Sequence, residues 1–201
     1  MHHVTHIKNL ENILKSGKLM ARNFLKHEFT DTADHGIINS RINVNNIDLN
    51  NYVPFHNDKF QTEYGIPYNY RVCKNNGKSN MIYLVFDTFK VTFSPFNECL
   101  YYMYHPTSSY HKKCSNFGEF LEITRLELSK LPRIFKNKLD FSNHYVKEYL
   151  MSEILVKDYV SLDYLKRIFV YNDDTKEEVE ELLKKYGYEK IEVHKKPNFY
   201  K

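Results

Sequence analysis

HHVTHIKNLENILKSGKL, residues 2–19, opens with a short, partly alternating run, His2–Ile7, that suits an edge or inner strand. Asn9 then stands where an N-cap would, ahead of Leu10, Ile13 and Leu14 at helical spacing. Gly17 follows Lys15 where helices commonly close, and Lys18–Ala21 leads out. A strand followed by a short helix is the expected start. On such a strand His3 and Thr5 share one face and His6 takes the other, so His6 reads as a satisfied core histidine.

Working outward, residues 22–80 are polar, rich in Asn and aromatics, with only brief apolar runs such as Gly36–Ile38 and Tyr52–Phe55. A loop-rich region of this length suggests a segment that covers a substrate, or else a mobile surface loop. Met81–Phe86 (MIYLVF) is an apolar run of strand length, and Glu119–Leu128 (EFLEITRLEL) alternates as a half-buried strand would, so the middle of the chain is expected to be mostly β. Ser152–Val156 looks like a strand entered from a loop or short helix, and Ile168–Tyr171 like another. Asp174–Tyr186 places Val179, Leu182, Leu183 and Tyr186 on one side of a helix closed by Gly187, with a strand resuming over Lys190–His194. No repeat or linker divides the 201 residues, so a single α+β domain spanning 1–201 is expected.

The net charge of +4, from 29 basic and 25 acidic residues, permits a polyanionic partner without requiring one. The acidic run from Asp173 to Glu181 leaves the rest of the chain more basic than that total. Cys73, Cys99 and Cys114 are odd in number and widely spaced, which fits reduced thiols in a cytoplasmic protein. The N-terminal residues lack a signal-peptide layout, and no apolar stretch approaches membrane-spanning length, so no membrane partner is expected.

Chemistry is concentrated in few places. Glu153 sits within MSEILV, where its neighbours favour burial, and a buried carboxylate costs several kcal/mol unless it is partnered. Arg41 lies in the loop-rich region, and His2, His3 and His6 crowd the start. Three histidines alone do not make a metal site, no H-E-x-x-H or cysteine pair accompanies them, and no metal is expected. Rossmann, P-loop and G-x-S-x-G signatures are all missing from the sequence.

The opening stretch resembles that of DarT-type DNA ADP-ribosyltransferases, which runs roughly Y-H-x-T-H-I-x-N-L-x-x-I-L-x-x-G-L. INSRI with Arg41, followed by NNYVPF, resembles the family's arginine and its D-Y-V-P-F segment, and MIYLVF stands where the family has I-V-H-L-V. YLMSEILV resembles the R-Q-A-E-F-L-V segment that holds the family's glutamate, which points to Glu153 rather than Glu148, and KPNFY resembles a closing P-x-W-Y-F. The matches span nearly the whole chain except residues 87–145.

The resemblance implies an ADP-ribosyltransferase fold, a split antiparallel β core with surrounding helices, binding NAD as co-substrate in a cleft between two sheets. His3 and Thr5 would hold the nicotinamide side, Arg41 would sit by the phosphates or the acceptor base, and Glu153 would bond the nicotinamide ribose. That chemistry suits the residue types: loss of nicotinamide leaves an oxocarbenium-like ribose, which a nearby carboxylate favours. The acceptor would be single-stranded DNA or RNA, where no unstacking is needed. Lys138, His144, Tyr145 and Lys147 would then either stack and steer the strand or form a solvated loop. Two departures bear on the acceptor: HNDKFQTEYGIPYNY replaces F-x-P-R-S-P-M, and Tyr149 and Leu150 replace the arginines before the glutamate. An RNA or protein acceptor, or an inactive nucleic-acid-binding homologue, stays open. The family further implies a toxin or phage-defence role with an antitoxin partner, often a macrodomain.

Overall fold

The computed structural model describes residues 1–33, 35–63, 65–134 and 144–200. In chain order the elements are β1 (His2–His6), α1 (Leu10–Ser16), β2 (Lys18–Met20), α2 (His35–Ser40), β3 (Tyr52–Phe55), α3 (Asp58–Glu63), α4 (Pro67–Asn76), β4 (Met81–Phe86), α5 (Thr88–Thr92), β5 (Cys99–Met103), β6 (Lys112–Cys114), α6 (Phe117–Ile134), α7 (His144–Leu150), β7 (Glu153–Lys157), β8 (Tyr159–Ser161), β9 (Leu165–Val170), α8 (Asp173–Lys185) and β10 (Glu192–Lys195). Two four-stranded sheets carry the molecule, ordered β1-β4-β9-β10 and β3-β7-β5-β6, with β2 and β8 as a separate antiparallel pair. Among the described residues every pairing is antiparallel except β9 with β10.

All six residues of β4 are buried, because it lies between β1 and β9 and is covered on both faces. Ile82, Leu84 and Phe86 enter the main core between the sheets, while Met81, Tyr83 and Val85 pack behind with Phe169, Phe199 and Tyr200. The sheets are stitched at their edges by a two-way backbone bridge between His2 and His56, at 3.0 and 2.9 Å. Behind that bridge runs a buried polar chain. His2 Nδ1 donates to Asp58 at 2.8 Å, and Asn69 Nδ2 donates to His2 Nε2 and to Gln61 Oε1, both at 3.0 Å. These bonds hold α3 and α4 against β1.

Three sequence expectations are corrected or made specific. EFLEITRLEL belongs to α6 and not to a strand: Phe117, Phe120 and Thr124 are buried at helical spacing against Tyr101 and Met103, whereas Leu121 and Leu126 stay exposed. Residues 22–80, expected to be loop-rich, hold β3 and the helices α2, α3 and α4 between their loops. Asn9 makes no capping bond, because a 3-10 turn at Ile7–Asn9 already sets it in helical geometry and frees its amide. Gly17 and Gly187 do take the left-handed conformation expected after a helix, at φ 65° and 78°. Cys73, Cys99 and Cys114 are free thiols. No helix among the described residues is long and apolar enough to cross a membrane.

Candidate functional site

A cleft of about 410 Å³ opens between the two sheets, with His3 and Thr5 of β1 on one wall and Glu153 of β7 on the other. His3 and Thr5 face it together, as strand alternation dictates, and His6 turns away to accept from the Lys8 N–H at 3.1 Å. Among the described residues no group of three or more His, Cys, Asp or Glu could hold a metal ion.

Glu153 is 3% exposed at the first position of β7, paired with Tyr102 of β5. Ser152 sets it there. Its hydroxyl donates to Tyr149 O at the end of α7 (2.6 Å) and accepts from Tyr104 N (3.0 Å), so helix end and neighbouring strand share one clamp. Arg41, 7% exposed, reaches the carboxylate from 112 residues away, its Nη1 at 2.9 Å from Oε2 and 3.3 Å from Oε1. Arg41 is held in turn by the Leu49 N–H on its carbonyl at 2.9 Å and by the tight turn Val44–Ile47. Asn45 and Asn46 permit that turn at φ 53° and 65°, a conformation asparagine tolerates.

Burial, the largest single influence, would raise the Glu153 carboxyl, but the Arg41 guanidinium together with the facing His105 and His56 holds the group below its ordinary value. The surrounding histidines are pushed the other way. Burial lowers His3 to about 4 and His56 to about 3, and lowers His105 despite the facing Glu153. At neutral pH the inner end of the cleft therefore presents the ionised Arg41–Glu153 pair beside uncharged His3, His56 and His105.

Several atoms of the cleft residues have hydrogen-bonding capacity to spare, His56 Nδ1 among them. Arg41 Nη2 is buried without a partner, which is uncommon for a guanidinium N–H and leaves a donor aimed at whatever occupies the cleft. His3 Nδ1 must donate to the Pro54 carbonyl at 2.9 Å, so its Nε2 is left as an acceptor. His105, in contrast, receives the Thr107 N–H on Nδ1 at 3.3 Å, so Nε2 carries the proton and faces Glu153 Oε1 at 3.8 Å. Tyr104, just before it, adopts φ 64°, a strained turn that swings the chain from β5 toward the carboxylate.

The structure thus brings His3, Thr5, Arg41 and Glu153 to one cleft. Lys138 lies outside the described residues, His144 and Tyr145 begin α7 rather than a loop, and Lys147 is exposed on that helix. Tyr149 and Leu150 are core residues, the Tyr149 hydroxyl donating to Thr124 O at 3.0 Å, so they do not present themselves to an acceptor. Sequence reading missed His56, Tyr68 and His105, all of which line the cleft. His56 follows YVPF directly and was legible as the residue after a recognisable strand, whereas His105 lies in the stretch without recognisable motifs.

Among solved structures, Thermus sp. 2.9 DarT in complex with ADP-ribosylated ssDNA superposes with a TM-score of 0.79 at 21% identity, covering 100% of this chain and 95% of that one. The same Thermus protein in complex with NAD+ gives 0.75 at 20% identity, covering 100% and 96%. Thermosipho africanus DarTG in complex with ADP-ribose gives 0.71 at 18% identity, covering 99% of this chain and 50% of that one. At these identities the likeness establishes the fold. No curated protein matches the chain. The model of the family described as ssDNA thymidine ADP-ribosyltransferase, DarT, matches residues 2–201, and with that match over nearly its whole length the chain belongs to the DarT family of NAD-dependent ADP-ribosyltransferases.

Proposed function

We propose that this chain transfers ADP-ribose from NAD to a base of single-stranded DNA, thymidine being the base in the family's description, and that the cleft between β1 and β7 is where it does so. The observation that carries this reading is a buried carboxylate paired with an arginine whose second terminal nitrogen, also buried, still has a donor to give. A structural ion pair gains nothing from leaving a buried N–H unsatisfied, whereas a binding site gains a ligand contact.

When bound, NAD supplies a ribose that becomes oxocarbenium-like as nicotinamide leaves. Glu153 would bond that ribose and oppose its growing positive charge with a carboxylate already ionised and already desolvated. Arg41 keeps the carboxylate charged and in place through Nη1 while Nη2 meets a phosphate or the acceptor base. His3 and Thr5 would take the nicotinamide side, His3 through its free Nε2 acceptor. Because His3 and His56 are uncharged at neutral pH, they do not repel the developing cation. The solved Thermus relatives, with NAD+ in one case and ADP-ribosylated ssDNA in another, support the pairing of these substrates on this fold.

Lys147, with Lys138, His144 and Tyr145, would steer the strand toward the cleft. In the cytoplasm such an activity is that of a toxin or phage-defence effector, restrained by an antitoxin of macrodomain type or otherwise; that a relative is a DarTG protein supports this setting. The test is incubation with labelled NAD and, separately, a thymine-containing DNA single strand, the same strand without thymine, its duplex, RNA and a protein mixture. Label should enter the first alone. Label on RNA or protein instead would sink the DNA assignment, and no nicotinamide release would sink the whole reading.

A further inference from the structure

Residues 21–33 run as a strap along the cleft, and all of them except Asn23 line it. Its only regular structure is the 3-10 turn Arg22–Phe24. Phe24, Leu25 and Phe29 line the cleft while 38%, 38% and 37% exposed, so apolar surface is left for a nucleotide to cover. The strap is closed on itself by a two-pronged pair, Arg22 to Asp31 at 2.9 and 2.7 Å. At its start the strap is tied by Asn23 Nδ2, which donates to Asp48 Oδ2 at 2.8 Å and Asn51 Oδ1 at 2.9 Å; toward its far end the tie to β1 runs through Asn9. Asn9 Oδ1 accepts the Thr30 N–H at 2.7 Å, and Asn9 Nδ2 donates to the Thr30 carbonyl at 3.0 Å, so the amide pairs with that residue as a neighbouring strand would. The same Nδ2 donates to Thr5 Oγ1 at 3.1 Å. Asn9 makes no capping bond for α1, so local structure does not account for its amide.

We propose that Asn9 is a positioning residue for the NAD site: it joins the strap to Thr5, so that the strap is held at the height at which it covers bound NAD and the Thr5 hydroxyl is oriented toward the cleft. This rests on the reading of the cleft as the NAD site. Asn9 touches no reacting atom. Its effect is to lower the cost of ordering the strap before substrate arrives, which appears in affinity and not in the chemical step.

Asn9→Ser is too short to reach Thr30 and loses all three bonds, while Asn9→Asp keeps the oxygen that receives the Thr30 N–H and loses both donations. Losing both tethers to Thr30 should raise KM for NAD by about thirtyfold in Asn9→Ser, with kcat within about twofold of wild type. Asn9→Asp should show a smaller rise in the same direction. Trypsin supplies a second readout at Lys26, an exposed strap residue: NAD should slow cleavage there in wild type and protect Asn9→Ser less at equal NAD. Should Asn9→Ser melt well below wild type, Asn9→Asp decides. Unchanged KM and unchanged protection in both variants, or a loss confined to kcat, would overturn the role of Asn9 while leaving the NAD reading intact. A wild-type protein that releases no nicotinamide would overturn the NAD reading itself.

Discussion

Replacing Arg41 with methionine fills similar space but strips Glu153 of the cation 2.9 Å away. Glu153 is 3% exposed, and the flanking His56 and His105 carry no full charge at neutral pH, so Arg41 is the full positive charge that compensates the carboxylate. Removing one partner of a buried pair costs about 3–5 kcal/mol, which for a domain of this size lowers Tm by roughly 6–20 °C. The cost should depend on pH. Without Arg41 the carboxyl is raised above its ordinary 4.5, so the folded state binds a proton that the unfolded state has released, and the deficit grows as pH climbs past 4.5. Its slope approaches about 1.4 kcal/mol per unit until the raised value is passed. Urea unfolding of wild type, Arg41→Met, Glu153→Gln and the double variant, at pH 8 and pH 5.5, measures this directly. The double variant should be more stable than Arg41→Met at pH 8, with a coupling of at least about 2 kcal/mol that shrinks at pH 5.5. Additive losses, or an Arg41→Met as stable as wild type, would refute the claim that the pair is buried and ionised.

Acidification should weaken the fold before its carboxylates titrate. His3 and His56 stay neutral in the folded state to about 4 and about 3, whereas unfolded histidine takes a proton near 6.5, so the stability their burial confers is complete above 6.5 and is lost as pH falls from there. A urea midpoint that declines between pH 6.5 and 5, and declines less in His56→Asn, is the expected result; a flat profile would count against buried neutral imidazoles. At the other end of the molecule, Asn172 caps α8 by accepting the Thr175 N–H at 3.0 Å, so Asn172→Ala should cost about 1 kcal/mol while Asn172→Asp retains most of it, as read from melting temperatures.

What could be read from the sequence follows the range of the forces involved. β4, α8 and the β1–α1 start were legible because their burial is written in local periodicity. α6 was misread because EFLEITRLEL fits both periods, and only the Tyr101 and Met103 surface it packs on decides for the helix. α3 and α4 could not be seen, since they are held by a polar chain that begins at His2, more than fifty residues earlier. At the site, Glu153 was legible as a charge among residues that favour burial. Its pairing with Arg41 was not, because a contact across 112 residues has no local signature. The same holds for His105, which a strained turn at Tyr104 carries into the cleft.

The most direct test of the central claim is ADP-ribose transfer from labelled NAD to a thymine-containing DNA single strand by wild type, Glu153→Gln and Glu148→Gln. The glutamine at 153 keeps shape and hydrogen bonding but removes the charge that the oxocarbenium-like ribose needs, so transfer should fall by about two to three orders of magnitude while NAD binding changes little. Glu148 sits on α7 and does not line the cleft, so Glu148→Gln should stay within about threefold of wild type, a change of under 1 kcal/mol. Full transfer by Glu153→Gln, or equal losses in the two variants, would contradict the assignment of the reaction to this cleft.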